Sequence, residues 1–538
     1  MTTTAIRPGQ QSLAQQHGFS HRRIMIIYSG LMLGMLLAAL DQTIISTALP
    51  TIVGDLGGLN HLSWVVTSYL VTSTCSTLLW GKLGDLYGRK IVFQSAIVIF
   101  LVGSALSGLS HTMIELIIFR GVQGLGAGGL MALTFAIIGD ILSPRQRGRY
   151  QGYMMAVFSL ASVAGPALGG WLTQSYSWRW CFYVNVPVGV VALLVTSATL
   201  NLPFRRVRHK VDYSGAALQV GAVGTILLVT VWGGVSYKWI SPQILGLIAV
   251  GLVLVGLFLL QERRAQEPVL PLRLFRNSVF NCTNVAGFLA GMAMFGGTVY
   301  MPLFLQLVSG VSPVLSGLLV LPMMLGVTAS SITTGRLITR TGRYKRWPII
   351  GSVLMPTGMY LLSFMTATTP RWQAGLFMMV LGLGMGMIMP VLIVAIQNAT
   401  RQEDLGTATS SNTFFRSMGS SFGVAVFGTI MNARLKFWFP RLVPNLGHLN
   451  LSATSVAFSP TAVHKLPAPV RNGIVTAFSH SLHTVFLWAA PIALLTLPAI
   501  LLMKELPLRT EAYISDAEAA ELGSAGEPIP VEALEALH

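Results

Sequence analysis

Apolar runs long enough to cross a bilayer recur fourteen times between residues 24 and 503. A membrane core about 30 Å thick takes about 20 apolar residues as a helix, because in lipid each backbone polar group must be bonded within its own segment. The runs lie near 24–49, 62–80, 91–109, 113–135, 152–172, 182–202, 213–233, 244–260, 280–307, 315–338, 347–365, 372–395, 414–431 and 482–503. A soluble fold is excluded, since charged residues are 10% of the chain where a soluble domain carries about 25%. A single-span receptor is excluded too, because the apolar material runs the whole length. The 55 glycines suit helices that pack closely in lipid.

The placement of charge sets the orientation. Net charge is +17, yet residues 511–538 hold seven acids and no Lys or Arg. With the N-terminus inside, the inner segments carry 25 Lys and Arg and the outer loops eight, with Arg120 and Arg416 left inside spans. That asymmetry follows the positive-inside rule. Removing one span would invert every later loop and destroy it, so fourteen spans with both termini cytoplasmic are expected. The basic residues come in short blocks between apolar runs, and no nucleic-acid face is expected from them. The acidic tail reads as disordered. Residues 1–23 lack the apolar core of a signal peptide. Cys75, Cys181 and Cys282 have no metal or redox spacing.

The chain repeats itself. Gly81, Leu83, Gly88 and Arg89 after span two return 254 residues later as Gly335, Leu337, Gly342 and Arg343 after span ten, with Thr339 in the place of Asp85. A shift of eight spans means two six-helix halves with an extra pair between them. Repeated halves around a midplane site are a secondary-transporter architecture. The expected fold is therefore an all-α polytopic membrane protein. It comprises an arm at 1–23, a bundle at 24–202, an inserted pair with basic flanks at 203–278, and a second bundle at 279–503. That second bundle carries an outer loop at 432–481, and a cytoplasmic tail follows at 504–538.

Five motifs in order resemble the major facilitator superfamily, in its fourteen-helix drug:proton antiporter branch. They are 81–90 (G-x-L-x-D-x-x-G-R-K), 40–50 in span one, 120–126 in span four, 165–170 in span five, and 178–189 from Trp178 to Gly189. The resemblance covers nearly all of 24–503.

Asp41 is the one acid well inside a span. A buried carboxylate that loses hydration can take up and release a proton, and a cationic substrate sharing its cavity would compete for the charge. A structural ion pair between helices is the other reading. Arg120 is its expected partner: about seven residues from the outer start of span four, it is roughly 10 Å deep, and Asp41 roughly 12 Å, at 1.5 Å per residue. The resemblance implies that Arg120 influences proton transfer; a snorkelling Arg is the alternative. Gln123 follows on the same face.

In the 81–90 loop, Gly81 and Gly88 allow close approach and tight turning. Asp85 suits a helix N-terminus, and Arg89, with Lys90 beside it, can reach Asp140. The resemblance implies a latch on the inner face, weaker in the second copy, which lacks the acid. Gly165, Pro166, Gly169 and Gly170 form a small-residue motif that the family associates with exporters, sealing the bundle interface; Ala161 stands where the family has a Gly. Tyr300, Gln306, Gln397 and Asn398 are candidate polar wall groups. Arg416 faces either the cavity or the head groups.

There is no phosphate loop and no nucleotide domain, so ATP-driven pumping is not expected; metal-ligand and nucleophile constellations are missing too, so no enzymatic chemistry is expected. No cofactor or metal is expected, and the energy source is a proton gradient. The expected function is proton-coupled efflux of small amphipathic or cationic drugs and toxic compounds across the cell membrane, by a monomer surrounded by lipid, with antibiotic resistance as the outcome. Export of an endogenous lipid, siderophore or secondary metabolite fits the same fold. An uptake symporter is disfavoured by the span-five resemblance, and a channel or transport-dead sensor by Asp41 and the inner-loop cluster.

Overall fold

The computed structural model describes residues 21–56, 62–200, 212–234, 237–311, 313–443 and 467–508. The arm up to residue 20, the basic stretch 201–211, the middle of the outer loop and the acidic tail lie outside them. Among the described residues there are seventeen α-helices and no strand, only an isolated bridge between Gly233 and Tyr237.

The first bundle holds α1 (His21–Leu56), α2 (Leu62–Tyr87), α3 (Arg89–Leu109), α4 (Met113–Ile141), α5 (Pro144–Ser175), the short α6 (Trp180–Tyr183) and α7 (Asn185–Thr199). An inserted pair follows, α8 (Tyr213–Trp232) and α9 (Pro242–Arg264). The second bundle holds α10 (Ser278–Leu307), α11 (Pro313–Leu319), α12 (Leu321–Thr341), α13 (Arg346–Ser363), α14 (Arg371–Asn398), α15 (Leu405–Leu442), α16 (Ala468–Leu494) and α17 (Thr496–Leu502).

Each apolar run read from the sequence falls on one of these helices or on a broken pair. Eleven segments are long and apolar enough to cross a membrane on length and composition. The runs in α2, α13 and α15 are not among them. α2 and α15 carry polar stripes: Thr67, Thr74, Ser76 and Thr77 on one, Thr407 to Thr413 largely Ser, Thr and Asn on the other, all buried. The two helices pack against each other, so those hydroxyls face protein rather than lipid. Hydropathy also misjudges helix length at the outer loop predicted for 432–481. There α15 continues to Leu442 and α16 already begins at Ala468, because a helix need not stop where lipid does.

Local signals fix the helix ends. Thr112 caps α4: its Oγ1 accepts from Glu115 N (3.2 Å), and the Glu115 carboxylate accepts from Thr112 N (3.3 Å), a reciprocal capping box. The two repeat loops share a backbone device, since Gly88 (φ 92°) precedes α3 and Gly342 (φ 71°) ends α12. Both lie in a region that L side chains resist, at equivalent positions of the two halves.

The inner end of the molecule is the one where the charge pattern predicts the cytoplasm. Among the described residues, hydrogen bonds between the two bundles run from the middle to this end. At mid-height Ser159 Oγ on α5 meets Thr328 Oγ1 on α12 (2.9 Å). Nearer the inner end, Gln397 Nε2 of α14 donates to Phe135 O of α4 (2.9 Å). Arg145 Nε donates to Thr339 O (2.8 Å), and Thr339 Oγ1 donates to Arg145 O (3.0 Å). The molecule is closed on its inner side.

The inserted pair covers one seam between the bundles. Gln219 Nε2 of α8 donates to Cys75 O of α2 (2.9 Å), and Trp239 Nε1 donates to Thr429 Oγ1 of α15 (3.2 Å). Its connection to α10 ties both sides of that seam, through Lys82–Glu267 (2.9 Å) and Arg273–Asp404 (3.0 Å). The buried Glu262 carboxylate holds the connection by accepting from Val269 N and Leu270 N (3.2 and 3.1 Å).

Candidate functional site

α4 is the axis of the site. A Cβ at Gly126 would land on the backbone of Ala96 and Phe100, and one at Gly124 on that of Tyr69. These glycines therefore bring α4 into direct contact with α3 and α2. That approach carries Arg120 toward Asp41, and the two meet at 2.5 Å, the acid fully buried and Arg120 1% exposed. Equal depth counted along two helices becomes an ion pair.

The pair is more fully satisfied than the sequence suggests. Gln123 Nε2 (2.8 Å) and Asn185 Nδ2 (3.0 Å) also donate to the Asp41 carboxylate. Arg120 donates in turn to Gln123 Oε1 (2.7 Å) and Val65 O (3.3 Å), and its guanidinium stands 4.2 Å over the Tyr69 ring. Asn185 Nδ2 also reaches Ser104 Oγ (3.0 Å), while its own Oδ1 is buried without a partner. Asn185, Tyr69 and Ser104 escape a sequence reading; Asn185 belongs to the 178–189 motif, which was the available signal. Chemically, three donors on one carboxylate hold α1, α4 and α7 together at this point.

A second cluster lies at the inner end. Arg89 pairs with Asp85 (2.6 Å) and Asp140 (2.8 Å). The Asp85 carboxylate also caps a helix of the other bundle, accepting from Gly406 N (3.2 Å), Thr407 N (2.9 Å) and Thr407 Oγ1 (3.0 Å) at the start of α15. A carboxylate at a helix N-terminus meets unpaired N–H groups and the positive end of the dipole. Gly81 permits this approach, since a Cβ there would strike Ser410 and Gly406. Lys90 stands apart: its Nζ donates to Ser197 O (2.7 Å).

The small-residue motif splits. Cβ atoms at Gly165 and Gly169 would fall on Thr43, Thr47 and Ile44 of α1, whereas one at Gly170 would meet nothing within 4 Å. Thr43 Oγ1 also donates to Ala161 O (3.0 Å). Pro166 lies inside α5. Gly165→Ala is therefore expected to cost about 1–3 kcal/mol through overpacking, and Gly170→Ala less than about 0.5 kcal/mol. Thermal denaturation of the two purified variants checks this contrast.

The predicted wall residues disperse. Gln397 closes the inner half, as described above. Tyr300 is buried against α15, its hydroxyl near Val424 O (3.4 Å). Gln306 Nε2 donates to Ser316 Oγ (2.9 Å), joining α10 to α11, and Asn398 Nδ2 donates to Pro507 O (3.1 Å) after the last helix. Three of these groups thus bond within the second bundle rather than across the seam. Arg416 does face the other bundle, its Cζ 5.9 Å from the Phe135 ring of α4.

Known proteins resemble this chain in sequence and in fold. Residues 31–424 match the Major Facilitator Superfamily model. The multidrug transporter protein MdtP of Bacillus subtilis is 40% identical over 494 residues, covering 88% of this chain and 91% of that one. Multidrug resistance protein 3 of the same species is 36% identical over 493 residues, 90% and 96%. A solved proton:xylose symporter superposes with a TM-score of 0.57 at 16% identity, over 88% of this chain and 95% of that one, which speaks for the fold alone. The chain belongs to the major facilitator superfamily. It is a multi-pass membrane transporter and not an enzyme.

Proposed function

We propose that this protein is a proton-driven exporter of amphipathic compounds, an antiporter of the cell membrane with fourteen crossings and both termini cytoplasmic, working as a monomer without a cofactor. The observation that carries the reading is the fully buried Asp41–Arg120 pair with its amide donors. A charged network at that depth is costly to keep and suits a proton-exchanging group. In the cycle, a proton reaching Asp41 weakens its hold on Arg120, Gln123 and Asn185, and α1, α4 and α7 repack. Return of the proton to the other side restores the pair. The inner latch at Asp85 sets when the cytoplasmic side opens, and the two bundles rock about the midplane.

The test is accumulation of dyes and drugs in a pump-deficient bacterial host. Expression of the protein is expected to lower accumulation, and a proton uncoupler to restore it. Efflux that persists with the proton gradient collapsed would overturn the coupling.

A further inference from the structure

The Asp41–Arg120 pair neutralises itself. Among the described residues, Arg416, the other cation deep within a span, has no such partner. It stands eleven residues beyond Leu405, roughly 16 Å along α15 at 1.5 Å per residue, which is about half of a 30 Å membrane core. Its backbone is held on α10: Gly291 packs against it, and Ser420 Oγ donates to both Arg416 O (3.1 Å) and Gly291 O (3.3 Å). Its side chain reaches the opposite way, across the seam to Phe135.

Among the described residues, no carboxylate and no hydrogen-bond acceptor engages the Arg416 guanidinium. The acids nearest in depth are committed elsewhere, Asp41 to Arg120 and Asp85 and Asp140 to Arg89. On its inner side the seam is shut. Gln397 bonds Phe135 O and Thr409 Oγ1, and all three residues are buried. Arg416 itself is half-buried, as are Phe415, Ser417 and Met418 beside it and Met131 one turn outward of Phe135 on α4. The guanidinium thus stands in the seam above its closed inner half, opposite Phe135 of α4.

A guanidinium is charged at any working pH and presents a planar fork of N–H donors that fits carboxylate, sulfonate and phosphate. At the midplane an unpaired cation attracts such a group strongly and repels a cation. We propose that Arg416 binds the headgroup of the cargo, and that the cargo is an anionic amphipath: a carboxylate, sulfonate or phosphate on an apolar body. This inference rests on the exporter reading above and replaces the cationic preference that Asp41 alone suggested, because Arg120, Gln123 and Asn185 already occupy Asp41.

The experiment is equilibrium binding to the full-length protein in phosphatidylcholine nanodiscs, with no gradient applied. The probes are 8-anilinonaphthalene-1-sulfonate, its uncharged analogue N-phenyl-1-naphthylamine, and ethidium. The wild type is expected to bind the sulfonate about tenfold or more tighter than the neutral analogue, the range of one charge-assisted contact. Arg416→Gln should erase that preference and leave the neutral probe within about threefold, a shift too small to reflect a lost contact. Arg416→Lys should keep part of the preference, since a point charge replaces a fork. Unchanged sulfonate binding in Arg416→Gln, an equal loss for the neutral probe, or tightest binding of ethidium would overturn the proposal. Should Arg416→Gln fail to fold, the matched probes on the wild type decide, and no sulfonate preference overturns it. Repeating the binding in phosphatidylglycerol nanodiscs separates two anion sources. Loss of the sulfonate there assigns the site to a lipid headgroup and retention to a freely diffusing cargo; either result upholds an anion site at Arg416. Preserved sulfonate binding with no gradient-driven efflux would sink the exporter reading alone, and the converse would sink this one alone.

Discussion

Asp41→Asn is expected to abolish proton-driven efflux while leaving a folded, less stable protein. An amide keeps the shape of the carboxyl group but carries no exchangeable acid proton, so the coupling step has no carrier. The stability effect follows from what remains. Arg120 stays buried with the neutral Gln123 Oε1 and Val65 O as acceptors, and breaking one side of a buried pair costs about 3–5 kcal/mol. The retained amide oxygen puts the expected loss near the lower end. The decisive variant is the double one, Asp41→Asn with Arg120→Gln. Removing both charges of a buried pair is close to neutral for stability, so the double variant should recover most of the lost thermal stability. It should still transport nothing against a gradient. Thermal denaturation and pH-driven uptake into inverted vesicles read the two effects separately. Recovery of transport together with stability in the double variant would show that the pair only ties α1 to α4.

That pair was legible in the sequence because the helix rise is fixed. Counting residues from two span ends places Asp41 and Arg120 at one depth, and the resemblance supplies the adjacency of spans one and four. The surrounding groups from α3, α7 and α2 were not legible in the same way. Ser104, Asn185 and Tyr69 come from three separate helices, and no periodicity within one segment shows which residue of another faces it. Polarity is equally silent about partners at Tyr300, Gln306 and Asn398. A polar group on an apolar helix must be satisfied, but the sequence does not say by what, and each found a partner within its own bundle. The inner cluster shows both sides at once. Arg89 with Asp140 could be anticipated from span order. The helix that Asp85 caps begins more than three hundred residues later, at Leu405, in the other half of the repeat. The helix ends flanking the outer loop were not legible, because hydropathy reports contact with lipid and α15 continues to Leu442.

Asp85→Asn is expected to loosen the inner closure far more than Thr339→Val, though the two positions are equivalent in the repeat. Asp85 places a charge against three donors at the start of α15 and against Arg89. Hydrogen bonds to a charged group contribute about 1.5–3 kcal/mol, and a carboxylate at a helix N-terminus about 0.3–2 kcal/mol. Asn retains one acceptor, so a net loss of about 2–3 kcal/mol is expected, a shift of roughly 30- to 150-fold toward the open form. Thr339 contributes one neutral bond from its hydroxyl to Arg145 O, while the return bond from Arg145 uses a backbone carbonyl that valine keeps. Losing it should cost about 1 kcal/mol, a shift of about fivefold. Gln151 on α5 offers the reporter. It is fully buried, both amide atoms lack partners, and the neighbouring Gly148 and Gly152 abut α12 across the seam. A Gln151→Cys protein without its native cysteines, labelled by a membrane-permeant maleimide, should react fastest with Asp85→Asn present. It should react only slightly faster than its parent with Thr339→Val. Equal acceleration by the two substitutions would mean that the charge adds nothing to the closure, and that the two halves of the repeat hold the inner face alike.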